Sequence, residues 1–187
     1  MATAHIRSRG RLPHWETQGG IYFVTFRSAD SLPRSVIATL RAQFAEKSDA
    51  ARKTSREIEK YLERGSGACH LLIPRIAELV AGTLRQFDGT RYRLFAWCIM
   101  PNHVHVVFQP LADFRLEDIL HSWKSYSGQM ANRILGRKGQ AFWQREYFDH
   151  LIQGGEQFQR AVRYTAENPL KAGLKDWPWV YVAGDLI

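Results

Sequence analysis

The chain has 187 residues, 45% of them hydrophobic, with 26 Lys and Arg against 18 Asp and Glu, a charge of +8 and a pI near 9.8. That length suits one domain with a sizeable core; no apolar run reaches the roughly 18–20 residues that cross a bilayer. Two cysteines in no paired spacing exclude a disulfide framework or zinc site.

The first residues carry Arg and His where a signal peptide would carry an apolar core, so a cytoplasmic protein is expected. A basic chain rich in aromatics suits phosphate backbones and base stacking. The alternative is a generally basic surface that selects no partner. Residues 7–15 set Arg7, Arg9, Arg11 and His14 around Gly10 and Pro13. This reads as a basic N-terminal arm, about residues 1–18, either lying along nucleic acid or a disordered tail. Residues 21–26, Ile-Tyr-Phe-Val-Thr-Phe, predict a first strand that is apolar on both faces and therefore central to a covered sheet.

A helical insertion, about residues 34–88, follows. Val36, Ile37, Leu40 and Phe44 keep a helical period, which lapses through the charged segment from Lys47 to Arg56 and resumes at Ile58, Tyr61 and Leu62. One long helix or two would end at Gly65-Ser66-Gly67. Ile76, Leu79, Val80, Leu84 and Phe87 mark another helix, with Pro74 in its first turn. Asp88-Gly89 then turns the chain into a strand over 92–99.

Trp97-Cys98-Ile99-Met100-Pro101-Asn102-His103-Val104-His105-Val106-Val107 reads as two strands around a tight Met-Pro-Asn turn. Residues 115–135 carry an apolar stripe from Leu116 to Ile134 and predict a helix, followed by the basic turn Gly136-Arg137-Lys138-Gly139. Residues 142–152 fit no helical period and are assigned to a last strand. Residues 156–168 predict a final helix, stopped by Asn168-Pro169 because proline disfavours the helical conformation in the residue before it. The order is a βαββαβ plan: α+β, a ferredoxin-like antiparallel sheet with helices packed on one side, in a single domain over 1–187.

Side chains alternate along a strand, so His103 and His105 point the same way and two neutral imidazoles can meet one cation. Such a pair alone is more often a solvated or packed feature than a metal site; it needs a third ligand and a nucleophile. Tyr164 and Asn168, four apart on the last helix, share a face. The amide oxygen of Asn168 is a hard ligand that would complete a Mg²⁺ or Mn²⁺ site, and the phenol of Tyr164 would attack a phosphorus polarised by it.

These blocks, with Arg11-Leu12-Pro13-His14-Trp15, Tyr22-Phe23-Val24-Thr25-Phe26, Phe142-Trp143-Gln144-Arg145-Glu146-Tyr147-Phe148-Asp149-His150 and the run Tyr164-Thr165-Ala166-Glu167-Asn168-Pro169-Leu170-Lys171-Ala172-Gly173-Leu174, resemble the REP-associated tyrosine transposases. Those are relatives of the single-tyrosine insertion-sequence transposases in the HUH endonuclease superfamily. The resemblance implies that His103 and His105 are the metal-binding pair, Tyr164 the nucleophile and Asn168 the helix ligand. It implies nicking of single-stranded DNA near short palindromic hairpins, leaving a 5′-phosphotyrosine and a free 3′-OH, by a monomer or homodimer that meets no membrane. Arg7, Arg9, Arg11, Arg137 and Lys138 are the expected DNA contacts. Gln153 departs from the family, which tends to place Arg there. Tyr147 is the rival nucleophile; Asp149 and His150 are either groups near the site or strand caps. A non-catalytic nucleic-acid-binding module on the same scaffold is the competing reading. A general acid–base HxH phosphoesterase would require a second histidine motif, which the sequence lacks.

Overall fold

The computed structural model describes residues 5–8, 13–44, 50–111 and 113–186. Five strands form one antiparallel sheet: β3 (Tyr22–Arg27), β4 (Tyr92–Ile99), β5 (His103–Pro110), β6 (Phe148–Leu151) and β7 (Val180–Val182). They lie in the order β6-β3-β5-β4-β7. Without β7 this is the strand order of a split βαββαβ unit, and β3 is internal, as its two apolar faces demand.

Period-2 alternation sorts each inner strand onto two cores. Tyr22, Val24, Phe26, Val104, Val106 and Phe108 pack with α3 (Pro74–Arg85) and α4 (Leu116–Ile134). Phe23 and Val107 pack with α5 (Gly155–Lys171). Helices therefore cover both faces, not one, because Phe23, Phe95 and Val107 leave the second face apolar too. The register between β4 and β5 shifts between Leu94 and Ala96. That bulge turns Phe95 and Ala96 together toward α5 while Leu94 and Trp97 stay with the first core. Tyr92 ties three elements there: its hydroxyl accepts from Trp123 Nε1 at 2.9 Å and donates to the Leu84 carbonyl at 2.8 Å.

The region expected as one insertion divides by role. Helix α3 is the crossover that packs on the sheet, whereas α1 (Arg34–Phe44) and α2 (Ala50–Glu63) pair with each other. Of the charged segment, residues 47–49 lie outside the described residues and the rest opens α2. The N-terminal stretch, expected as an irregular arm, forms a two-stranded antiparallel ladder of β1 (His5–Ser8) with β2 (Pro13–Glu16). Arg7 lies on β1; Arg9 and Arg11 lie outside the described residues.

Three expected boundaries move. The strand assigned to 142–152 shrinks to Phe148–Leu151, because Phe142 and Trp143 turn inward onto α4. Helix α5 does not stop at Asn168: it runs through Pro169 to Lys171. It closes on Gly173, at φ +76°, whose N–H reaches the Leu170 carbonyl at 3.0 Å, while Leu174 N–H reaches that of Pro169 at 2.9 Å. This paired closure with a left-handed glycine is the usual helix stop, and it outweighs the bias before proline. Strand β7 was not expected, although Val180-Tyr181-Val182 is a β-branched and aromatic run.

Candidate metal and nucleophile site

The β4–β5 hairpin closes with Met100 N–H on the His103 carbonyl at 2.8 Å, so the histidine strand starts immediately after the turn. His103 and His105 are both fully buried, and their Nε2 atoms stand 3.0 Å apart. Adjacent corners of an octahedron with ligand distances of about 2.1 Å are separated by about 3 Å, so the pair fits two cis positions of a hard divalent ion. Each outer ring nitrogen is held: His103 Nδ1 lies 2.7 Å from Asn102 Oδ1, and His105 Nδ1 lies 2.8 Å from Thr25 Oγ1. Partners of this kind orient metal-binding imidazoles. Burial pushes the His105 imidazole down to about 3 and, with the neighbouring His105 and Arg27 charges, pushes that of His103 well down. Both rings therefore stay neutral, the form that binds metal.

Helix α5 lies over this face. The Tyr164 ring sits 5.4 Å from that of His105 and 5.7 Å from that of Phe23, edge-on to both. One turn later Asn168 is fully buried; its amide approaches the Tyr164 hydroxyl but neither of its polar atoms makes a well-formed hydrogen bond among the described residues. A buried amide left unpaired is expensive, about 1–3 kcal/mol per group, and a hard cation beside it would satisfy its oxygen. Among the described residues no three His, Cys, Asp or Glu side chains gather into a metal cluster.

Tyr164 is not exposed as a free phenol. Burial, then Glu59, Glu63 and the buried Cys98, push its pKa above the ordinary phenol range, and the Asn168 amide opposes them. Its hydroxyl donates to Glu63 Oε1 at 3.5 Å, and Lys171 Nζ lies 5.6 Å from its ring. Glu59 and Glu63, on α2, are not marked in the sequence beyond forming an acidic i,i+4 pair. Thr25 and Asn102 were likewise missed as site residues.

The sheet separates Tyr147, Arg137 and Lys138 from this site, whereas His150 pairs with Phe23 on the histidine face. Tyr147 packs with the first core and takes the Lys124 ammonium 5.4 Å from its ring, so it is Tyr164 that stands by the histidines. Arg137 and Lys138 line a groove of about 1120 Å³ between α4 and residues 136–147, whose lining includes none of His103, His105, Tyr164 or Asn168. Arg137 is already engaged there, with Nη1 2.6 Å from His70 Nε2 and Nε on Gln140 Oε1 at 2.8 Å. Lys124 Nζ donates to the Arg145 carbonyl at 2.7 Å, and burial lowers it to about 8. Asp149 and His150 lie on edge strand β6, paired in register with Val24 and Phe23. Gln153 is exposed at the start of α5, its N–H on Gln157 Oε1 at 3.0 Å.

A family model described as "Transposase IS200 like" matches residues 72–168, more than half of the chain and a span that holds His103, His105, Tyr164 and Asn168. The chain belongs to this family. A curated Haemophilus influenzae protein named as a REP-associated tyrosine transposase is 28% identical over 101 residues, 47% of this chain and 57% of that protein. The match thus spans little more than half of the relative's length. A solved structure of a REP-associated tyrosine transposase bound to a REP hairpin superposes with a TM-score of 0.53 at 19% identity, covering 97% of this chain and 94% of that one. At that identity it is the fold that this IS200-like transposase shares. No helix among the described residues is long and apolar enough to cross a membrane.

Proposed function

We propose that this IS200-like transposase nicks and rejoins single-stranded DNA beside hairpin elements, with Tyr164 as nucleophile and Mg²⁺ or Mn²⁺ as cofactor. The observation that carries the reading is the meeting of two neutral imidazoles, 3.0 Å apart at Nε2, with the Tyr164 ring on the same sheet face. His103, His105 and the Asn168 amide would hold the ion, which supplies Lewis-acid polarisation of the scissile phosphate. The remaining work belongs to the chain itself. Helix α5 places phenol and amide on one face, so a phosphate bound near the imidazoles lies within reach of the attacking oxygen. The hydroxyl loses its proton, its oxygen bonds to phosphorus, and the 3′-oxygen leaves and is protonated. The products are a 5′-phosphotyrosine and a 3′-OH, and the reverse attack by a 3′-OH joins a new strand.

DNA contact is assigned to the groove that holds Arg137 and Lys138 and to the basic β1–β2 segment with Arg7, Arg9 and Arg11. The hairpin-bound relative supports a hairpin partner, and single-stranded bases would stack on aromatic side chains. Incubation with hairpin-bearing single-stranded DNA and Mn²⁺, followed by denaturing electrophoresis, should give a covalent adduct that needs both the ion and Tyr164. A chain that binds the hairpin with unimpaired affinity yet gives no adduct under any divalent ion would be the non-catalytic module instead.

A further inference from the structure

The amide of Asn102 is fully buried and bridges two elements. Its Nδ2 donates to the Ser66 carbonyl at 2.7 Å, and its Oδ1 lies 2.7 Å from His103 Nδ1. A backbone carbonyl can only accept, so the nitrogen of the amide must face Ser66 and its oxygen must face His103. An amide oxygen in turn can only accept, so His103 carries its proton on Nδ1. Its Nε2 is left with a bare lone pair. His105 Nε2, 3.0 Å away, must then be the donor of that contact, which leaves His105 Nδ1 to accept from the Thr25 hydroxyl at 2.8 Å.

We propose that Asn102, anchored by the Ser66 carbonyl, is a positioning residue that locks His103 in its metal-ready tautomer, while Thr25 lets His105 switch. The inference rests on the metal-binding reading above. The two histidines are unequal because their partners are. An amide oxygen cannot become a donor, so His103 presents Nε2 to a cation at all times. A threonine hydroxyl can donate or accept: when a cation takes His105 Nε2, the proton there leaves through solvent and one is taken up on Nδ1. The hydroxyl then turns to accept it, with no net proton released. Ser66 lies outside the span matched by the family model, so the lock is closed from this chain's insertion. Its loop is clamped: Ala68 N–H reaches Asp30 Oδ2 at 3.0 Å, and a Cβ on Gly67 would meet the Asp30 carbonyl oxygen at 2.7 Å.

The test is long-range ¹H–¹⁵N NMR of the histidine rings in metal-free protein, together with Mn²⁺ titration of the wild type, Asn102→Leu, Thr25→Ser and Thr25→Val. The wild-type spectrum should show His103 protonated on Nδ1 and His105 on Nε2, with His105 changing tautomer when a diamagnetic ion such as Mg²⁺ is added. Asn102→Leu should release the His103 tautomer and weaken Mn²⁺ binding by about 10- to 100-fold, the usual effect of losing such a partner. Thr25→Ser should bind as the wild type does, and Thr25→Val should lose affinity. A wild-type His103 ring protonated on Nε2 overturns the lock even if Asn102→Leu fails to fold, as does undiminished Mn²⁺ affinity in Asn102→Leu. Failure of the wild type to bind Mn²⁺ or Mg²⁺ overturns the metal reading and the switch with it. A wrong tautomer alongside intact metal binding overturns the lock alone.

Discussion

The hydroxyl of Tyr164 points across from α5 to Glu63 on α2, 3.5 Å away, and Glu59 adds a second negative charge on the same side. In model peptides phenols titrate near 10 and carboxylates near 4, a gap of about six units or about 8 kcal/mol. A carboxylate is therefore a poor base for this phenol. Its larger effect is to repel an incoming phosphate. The double variant Glu59→Gln/Glu63→Gln should form the DNA adduct faster, by about three- to tenfold, since one unit charge near 4 Å is worth about 1 kcal/mol in water. Single-turnover rates at low and high salt measure it; a slower variant would assign Glu63 to catalysis instead.

Tyr164→Phe removes an oxygen whose hydrogen bond to the exposed Glu63 is long. Stability should change by less than about 1 kcal/mol, hairpin binding should persist and the adduct should vanish. Tyr147→Phe, on the other core, should leave the adduct intact. A proteolytic digest that finds DNA on Tyr147 would reverse the assignment.

Acid should destabilise the metal-free protein through the buried imidazoles. Unfolded histidines titrate near 6.5, whereas folded His105 is held down to about 3 and His103 well below its usual value. Between those limits the unfolded chain binds the extra protons, so stability falls as pH falls, by up to about 2.7 kcal/mol per pH unit for two groups. Urea unfolding at pH 7 and pH 5 should differ by up to about 4 kcal/mol on the same basis. Equal stabilities would mean that the pair is not buried in its neutral form.

Gly128 lets α4 approach the groove floor: a Cβ there would stand 3.1 Å from Trp143 Cδ1. Trp143 cannot easily give way, because its Nε1 is bound to Ser127 Oγ at 3.0 Å and its ring is edge-on to Phe26 and Phe142. Alanine gains about 1 kcal/mol in helix propensity, but overpacking costs about 1–3 kcal/mol. Gly128→Ala should therefore destabilise the fold slightly, visible as a lower urea midpoint and altered tryptophan fluorescence. A stabilised variant would show that the Trp143 wall yields.

Lys138→Ala should lower the slope of log K against log salt for hairpin binding by about one. Arg137→Ala should lose stability as well, because its guanidinium also holds His70 and Gln140. An unchanged salt slope in both would remove this groove from the DNA path.

The histidine pair was readable in the sequence because a strand alternates with period two and the turn before it is marked by Pro101-Asn102. Tyr164 and Asn168 were readable as i,i+4 neighbours. What covers them was not. Glu63 reaches Tyr164 and Asn102 reaches Ser66 across long stretches of chain, and such pairings depend on how α2 and its loop settle against the sheet. Thr25 sits opposite His105 only because β3 and β5 pair in that register. At Pro169 a local rule lost to a stronger local closure four residues later. Residues 142–147 misled for the opposite reason: Phe142 and Trp143 are strand-like in composition, and burial against α4 outweighed that preference.

The sheet is also tapered. Its inner strands run six to eight residues, whereas β6 has four and β7 three. Unpaired border backbone is what a foreign strand would add to, and short borders offer little of it. Side-by-side growth of one sheet into another is thus discouraged at both margins, and sticky fibrous association through them is unfavourable from the outset.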